Sequence, residues 1–182
     1  EDVVGNFDMN VDTGGTLTVS GIISNLGFEK TGVGTLILSG NNTFTTGLTL
    51  TAGVLNIRHA NALGTTATGT TVSSGAALEL QGGITVGAEA LTLSGTGIST
   101  GGGLRNISGD NSYAGAITLG AASRINSDAG TLTLSGGIGG TFALTIGGAG
   151  NTTISSAIGT STGTLTKDGA GTLTLNGTNT YT

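Results

Sequence analysis

Apolar residues recur in pairs separated by one small or polar residue along nearly the whole chain. Such pairs are Leu17/Val19, Leu36/Leu38, Leu48/Leu50, Leu55/Ile57, Leu78/Leu80, Leu91/Leu93, Ile117/Leu119, Leu132/Leu134, Leu144/Ile146 and Leu173/Leu175. Alternation with a period of two marks half-buried strands. In the stretch 130–136, Leu132 and Leu134 are expected to face inward and Thr131 and Thr133 outward, with glycines closing both ends. Helical signals are nearly absent. Only Arg58-His59-Ala60-Asn61-Ala62-Leu63-Gly64 fits one turn, ended by a glycine cap.

Spacing separates the kinds of β protein. Leu17, Leu36 and Leu55 are evenly spaced, the step from Ile154 to Leu173 has the same length, and that from Leu132 to Ile154 is slightly longer. Intermediate pairs fall a little over half a step on, as at Leu36 to Leu48 and Leu132 to Leu144. A period of this size with more than one strand in it is the mark of a solenoid. The expected fold is therefore all-β, a parallel β-solenoid with coils of about 19–23 residues. A β-sandwich is the rival, since short strands at close spacing also read that way. Its turns ordinarily use proline, and it does not predict the regular spacing.

Composition strengthens the solenoid reading. Gly (37) and Thr (35) dominate the 182 residues, and there is no Pro, Cys or Trp. Glycine suits tight corners that need positive φ. The lack of proline suits coils that each donate N–H groups to a ladder. One coil alone buries too little to offset its ordering entropy, so the stack must fold together. Disorder is excluded, because only 8% of residues are charged and the leucines are patterned.

Other classes fall on the same grounds. Without cysteine there is no disulfide framework, zinc cluster or thiol nucleophile. Five scattered basic residues and a net charge of −5 leave no positive footprint for nucleic acid. No apolar run approaches the roughly 18 residues of a membrane span. A membrane barrel would need an outward apolar band and aromatic girdles, where this chain places Thr and Ser.

The most specific signal is an internal repeat. Lys30-Thr31-Gly32-Val33-Gly34-Thr35-Leu36-Ile37-Leu38-Ser39-Gly40-Asn41-Asn42-Thr43-Phe44-Thr45 returns near the end of the chain as Lys167-Asp168-Gly169-Ala170-Gly171-Thr172-Leu173-Thr174-Leu175-Asn176-Gly177-Thr178-Asn179-Thr180-Tyr181-Thr182. Ten of the sixteen positions are identical, and Phe44/Tyr181 exchanges one aromatic for another. A degraded third copy keeps the corner Ser108-Gly109-Asp110-Asn111-Ser112-Tyr113. In that corner Gly and Asn are expected to tolerate left-handed backbone and make local side-chain bonds, with the aromatic covering the bend.

This string closely resembles the passenger-associated β-strand repeat of bacterial autotransporters, with Gly47-Leu48-Thr49-Leu50-Thr51-Ala52-Gly53-Val54-Leu55-Asn56-Ile57 supplying the strand that follows it. The strong matches cover 30–57 and 167–182, with 104–119 weaker. The resemblance implies a right-handed parallel β-helix, exported through type V secretion to the surface or surroundings of a Gram-negative cell. It also implies an outer-membrane barrel of the same polypeptide. The repeat is associated there with passenger transport and stalk building rather than catalysis. Residues 1–182 thus read as a single β-helical segment, and the second copy's stop at Thr182 marks it as a fragment of a longer array.

Candidate sites are few, and each has a plain structural explanation. His59 is the only histidine, so no histidine metal cluster or Ser/His/Asp triad is expected, and the residue reads as a solvated loop position. Glu79 alternates with Leu78 and Leu80 and should point outward, while Glu89 lies further along. Asp110, Asp128, Arg105 and Arg124 form the one local charged cluster. Arg105 to Arg124 and Asp110 to Asp128 are each close to one coil in length, so each pair could stack on one face. Polysaccharide cleavage needs carboxylates converging in a groove, and this group reads instead as surface pairing. The Gly-Gly-x-Gly-x-Asp calcium repeat is absent, since Leu104 follows Gly101-Gly102-Gly103. No phosphate-binding loop appears either.

Thr-x-Thr strings at Thr16/Thr18, Thr49/Thr51, Thr131/Thr133, Thr164/Thr166 and Thr172/Thr174 resemble the outward ladders of ice-binding solenoids. Threonine is also simply the polar residue that suits an exposed strand. Ile37, Glu79 and Ala143 are expected to interrupt such rows.

The expectation is a non-enzymatic surface or secreted passenger segment that spaces a distal element from the cell and aids its own export. No catalytic, cofactor or metal residues, no cofactor, no nucleic acid and no small-molecule substrate are expected. A self-assembling filament or matrix protein built by end-to-end stacking is the alternative. A glycan- or host-binding adhesive face is a third reading, with only six aromatic residues for sugar stacking.

Overall fold

The computed structural model describes residues 7–182. The alternating leucines make short strands that wind through about eight coils of a parallel β-solenoid. Coil 1 carries β1 (Phe7–Asn10) and β2 (Thr16–Val19), coil 2 carries β3 (Phe28–Thr31) and β4 (Thr35–Leu38), and coil 3 carries β5 (Leu48–Leu50) and β6 (Val54–Ile57). Coil 4 holds β7 (Thr70–Val72), β8 (Ala77–Gln81) and β9 (Thr85–Val86). Coil 5 holds β10 (Leu91–Gly95), β11 (Leu104–Ser108) and β12 (Asn111–Tyr113). Coil 6 holds β13 (Ile117–Ser127) and β14 (Thr131–Leu134). Coil 7 holds β15 (Ile138–Gly139), β16 (Leu144–Gly147) and β17 (Asn151–Ile154), and coil 8 holds β18 (Ile158–Gly159), β19 (Leu165–Lys167) and β20 (Leu173–Leu175).

Each coil has three faces. The first stacks β1, β3, β5, β7, β10, β13, β15 and β18, and the second stacks β2, β4, β6, β8, β11, β13, β16 and β19. The long β13 bends from one to the other, pairing through Ile117–Thr118 with β15 and through Ser123–Asn126 with β16. The third face is β9, β12, β14, β17 and β20. In coils 1–3 this face keeps inter-coil bonds without regular strand, as from Thr43 N–H to the Ile23 carbonyl (2.9 Å) and Thr65 N–H to the Phe44 carbonyl (2.9 Å).

Side chains of one parity stack inside. On the second face Leu17, Leu36, Leu55, Leu78, Leu104, Ile125 and Ile146 lie in one register row, which Lys167 continues. Leu36, Leu55, Leu78, Leu104, Ile125 and Ile146 are completely buried. Leu17 is 41% exposed, because it lies in the first described coil and a neighbouring coil covers it from one side. Phe28 meets Phe44 edge-on, with centroids 5.8 Å apart.

The register departs in part from the spacing read in the sequence. Leu17, Leu36 and Leu55 are aligned, as expected. Leu132, however, pairs with Thr152, and Ile154 with Leu134 and Leu175, so the steps from Leu132 to Ile154 and from Ile154 to Leu173 join different rows. One coil also runs longer than the expected range. Leu91 pairs with Ile117, because the segment after a bulge between Leu93 and Gly95 loops out through a 3-10 turn at Ile98–Thr100 before β11. The turn expected at 58–64 forms, with Gly64 at φ 80°. Among the described residues no helix is long and apolar enough to cross a membrane.

Candidate functional site

The repeat spends its distinctive residues on the coils above and below. Lys30 falls in an inward position, between Met9 and Leu50 in the register, and is fully buried. Its ammonium donates to the carbonyls of Thr31 (2.7 Å), Gly32 (2.7 Å) and, in the next coil, Ala52 (3.2 Å). Three donors thus meet three acceptors. Burial still pulls the Lys30 pKa below its ordinary value, more than the nearby Asp8 raises it. Lys167 repeats the arrangement, donating to the carbonyls of Asp168 and Gly169. Gly32 (φ 69°) and Gly169 (φ 72°) hold the same left-handed conformation, which turns the carbonyls toward the ammonium and needs glycine.

The corner asparagine is the second coupling. Asn42 Oδ1 accepts the Ile23 N–H (2.9 Å), Asn111 Oδ1 accepts the Ile84 N–H (2.7 Å) and Asn179 Oδ1 accepts the Ile158 N–H (2.8 Å). In all three copies the acceptor reaches an isoleucine amide of the preceding coil. Asn42 also donates to the Ala62 carbonyl of the following coil (2.7 Å), so one amide ties three coils together. The local reading of the corner holds in part: Gly109 has φ 85° and Asn111 Nδ2 donates to the Ser108 carbonyl (2.9 Å), but none of Asn42, Asn111 and Asn179 has positive φ, and each Oδ1 reaches an amide a full coil away. The glycine before them permits close approach: a methyl on Gly40 would strike the Gly21 carbonyl, and one on Gly177 the Ser156 carbonyl. Phe44 and Tyr113 then point into the core, 1% and 0% exposed.

The charged candidates assemble differently from expectation. On the second face, outward Ile37, Asn56, Glu79, Arg105 and Asn126 share one register row. A polar ladder runs along it from coil 3 to coil 8. Arg58 Nε donates to Asn56 Oδ1 (2.8 Å), and Asn56 Nδ2 donates to Glu79 Oε2 (3.1 Å). Arg105 bridges Glu79 (3.4 Å) and Asp128 (2.6 Å). Asn126 Nδ2 donates to Asp128 Oδ1 (2.6 Å) and its Oδ1 accepts from Arg124 (3.1 Å). Arg124 closes the ladder with two 2.7 Å bonds to Asp168, holding that carboxyl below the usual carboxylate range.

Arg105 and Arg124 share a face but not a row, since Arg105 pairs with Asn126 and Arg124 with Thr145. Asp110 and Asp128 both lie in the turn from the second face to the third, in adjacent coils, but Asp110 stays out of the ladder, its Oδ1 accepting the Thr131 N–H (2.8 Å). Glu79 points outward as expected, and His59 accepts the Asn61 N–H on Nδ1 (3.1 Å) within the turn. Asn56, Asn126 and Asp168 were missed in the sequence. Their signal was a separation of one or two coils from a charged neighbour, visible only once the coil lengths are known.

Two threonine rows also emerge. Thr49, Thr71, Thr92 and Thr118 align on the first face, and Thr85, Ser112, Thr133, Thr153 and Thr174 on the third. Ile37 and Glu79, expected to interrupt separate rows, occupy one row of the second face.

Fold and coupling residues together define a parallel β-solenoid whose repeat motif joins coil to coil. Residues 28–57 and 165–182 match the passenger-associated-transport-repeat family. Those matches and the solenoid together fit an autotransporter passenger segment, a class secreted by or exposed on Gram-negative bacteria. No curated protein sequence matches the chain significantly.

Proposed function

We propose that the chain is a non-enzymatic stalk segment of an exported passenger, which spaces distal regions from the cell and helps its own export by adding coils onto coils. The observation that supports this is the asparagine coupling: in each copy Oδ1 accepts an amide of the preceding coil, so a newly arriving repeat finds a prepared partner. In a stack where each repeat contacts its neighbours alone, such contacts let folding propagate from any formed coil. The ladder residues are likewise engaged with one another, which supports a surface that stiffens the rod. The polypeptide partner on this reading is an outer-membrane barrel of the same protein.

The test is made in the full-length parent protein. Replacing Asn42, Asn111 and Asn179 together by Ala is expected to lower the amount of passenger displayed outside the cell while barrel insertion continues. Undiminished display would overturn the export role. The purified chain is expected to be a monomeric rod, its eight or so coils advancing about 4.8 Å each. Concentration-dependent fibres in electron micrographs would favour the end-stacking filament instead. Turnover of an acidic polysaccharide, abolished by D110N or D128N, would refute the non-enzymatic reading.

A further inference from the structure

Glu89 lies on the turn between the third and first faces of coil 4, 3% exposed. Its Oε1 accepts a hydrogen bond from Thr70 Oγ1 at 3.0 Å. Its Oε2 has no partner, and neither has the hydroxyl of Tyr113, completely buried in the next coil. The elements around it offer no positive charge. Strands β7, β9 and β12 and the segment 114–116, whose Gly115 packs on the Glu89 backbone, contain no Lys, Arg or His, and Tyr113 is the one other titratable group. The counterparts of Tyr113 are Phe44 in the first copy and the exposed Tyr181 in the last, so Tyr113 is the copy that buries a hydroxyl.

We infer that Glu89 is held in the fold as a neutral carboxylic acid, and that with Thr70 and Tyr113 it forms a proton-dependent latch between coils 4 and 5. Tyr113 stands close enough for a carboxylate charge on Glu89 to oppose ionisation of its phenol, yet its hydroxyl makes no hydrogen bond that would compensate either form. Desolvation therefore decides, and an uncompensated buried carboxylate is much the costlier state. Burial, outweighing the Thr70 bond, accordingly pushes the Glu89 pKa above its ordinary value. The latch adjoins the most irregular coil, where the chain makes a long excursion between the paired Leu91 and Ile117, and Ser99 and Thr100 carry positive φ. When the Oε2 proton passes to solvent base, the carboxylate draws water into this turn, and the seam between coils 4 and 5 loosens ahead of the rest.

The sign follows from linkage. The unfolded chain releases this proton near 4.5, whereas the fold keeps it to higher pH. Stability is thus fullest below that ordinary value, declines as pH climbs toward the raised one, and levels off above it. The decline reaches at most about tenfold in the folding equilibrium per pH unit.

Infrared spectroscopy and urea unfolding of the wild-type chain and E89Q test the latch. A protonated-carboxyl stretch is expected in the wild type above the ordinary carboxylate range and absent from E89Q. The wild-type midpoint should fall across the interval in which that band bleaches, while E89Q, neutral at every pH, lacks this component. Parallel midpoint profiles, or a wild type whose band is lost at the ordinary carboxylate pH, would overturn the latch. Should E89Q fail to fold, the wild-type band alone decides, with Y113F as the folded control that keeps the carboxyl.

Discussion

Replacing Asn42 by Ala removes two inter-coil hydrogen bonds and little else. Asn42 is 2% exposed, and its backbone bonds to Asn61 (3.2 Å) and from Thr43 to Ile23 (2.9 Å) do not depend on the side chain. The loss strips an acceptor from the Ile23 N–H and a donor from the carbonyl of buried Ala62. A buried group left unsatisfied costs about 1–3 kcal/mol, and a partly wet one less. The Ala62 side of the break falls in that range, and the partly exposed Ile23 side adds about 0.5–1 kcal/mol, for about 1.5–4 kcal/mol together. Damage in a stack of neighbour-only contacts stays local. Hydrogen exchange is therefore the sharper assay: the amides of Ile23 and Thr43 should exchange faster while those on coils 6–8 keep their protection. Asn41→Ala is the control, since Asn41 is exposed and accepts only from Asn61 Nδ2 (2.8 Å). Asn42→Asp should be worse than Ala at neutral pH, because the carboxylate accepts from Ile23 but cannot donate to Ala62 and is itself buried. Equal exchange in the Asn42→Ala and Asn41→Ala variants would refute the coupling argument.

Other perturbations separate buried from exposed copies of the same motif. Lys30→Ala should cost about 2–4 kcal/mol in urea unfolding, since three carbonyls lose a buried charged donor, whereas Lys167→Ala, at an exposed position with two acceptors, should cost clearly less. Gly40→Ala drives a methyl into the Gly21 carbonyl and should destabilise by about 1–3 kcal/mol or more; Gly21→Ala has open space around it and should stay within about 0.5 kcal/mol. Asp168, its carboxyl depressed by Arg124, contributes stability above its unfolded value of 3.8 that is lost as pH falls through the lower folded value. Carbon-detected titration should find Asp168 below the usual carboxylate range in the wild type and returned to it in Arg124→Ala.

The strand pairs were legible because both members of Leu36/Leu38 or Leu55/Ile57 are buried leucine or isoleucine at alternate positions. The register was legible only while coils stayed uniform, in β2, β4 and β6. It failed farther along for two physical reasons. One coil carries the loop after Gly95, which shifts every later partner. Inward positions are also filled by polar residues that a hydrophobic pattern cannot register: Thr152 takes the place opposite Leu132, and Asn106, fully buried, pairs with Leu80. The Arg105–Asp128 pair was within reach of sequence reasoning. Its extension to Asp168, two coils on from Arg124, was not. The asparagine corner stood out as a motif, yet its partner is a backbone amide, which leaves no mark on the sequence.

The two strong copies of the repeat do not occupy the same faces. Lys30 lies on the first face and Leu36/Leu38 on the second, whereas Lys167 lies on the second and Leu173/Leu175 on the third. The interval from Lys30 to Lys167 is six coils and one face. Despite this shift both lysines bond to the next two carbonyls, both first glycines have positive φ, and both asparagines accept an isoleucine amide from the preceding coil. These contacts are defined relative to adjoining coils, not to a side of the rod. A three-faced coil presents a similar corner at each turn, so the motif works at whichever corner it falls. Insertions of a third of a coil are then tolerated, provided each asparagine still meets an amide of the coil before it. That requirement explains how a motif covering a minority of the chain can set the stacking of the whole, while the strands between copies need keep only their inward alternation.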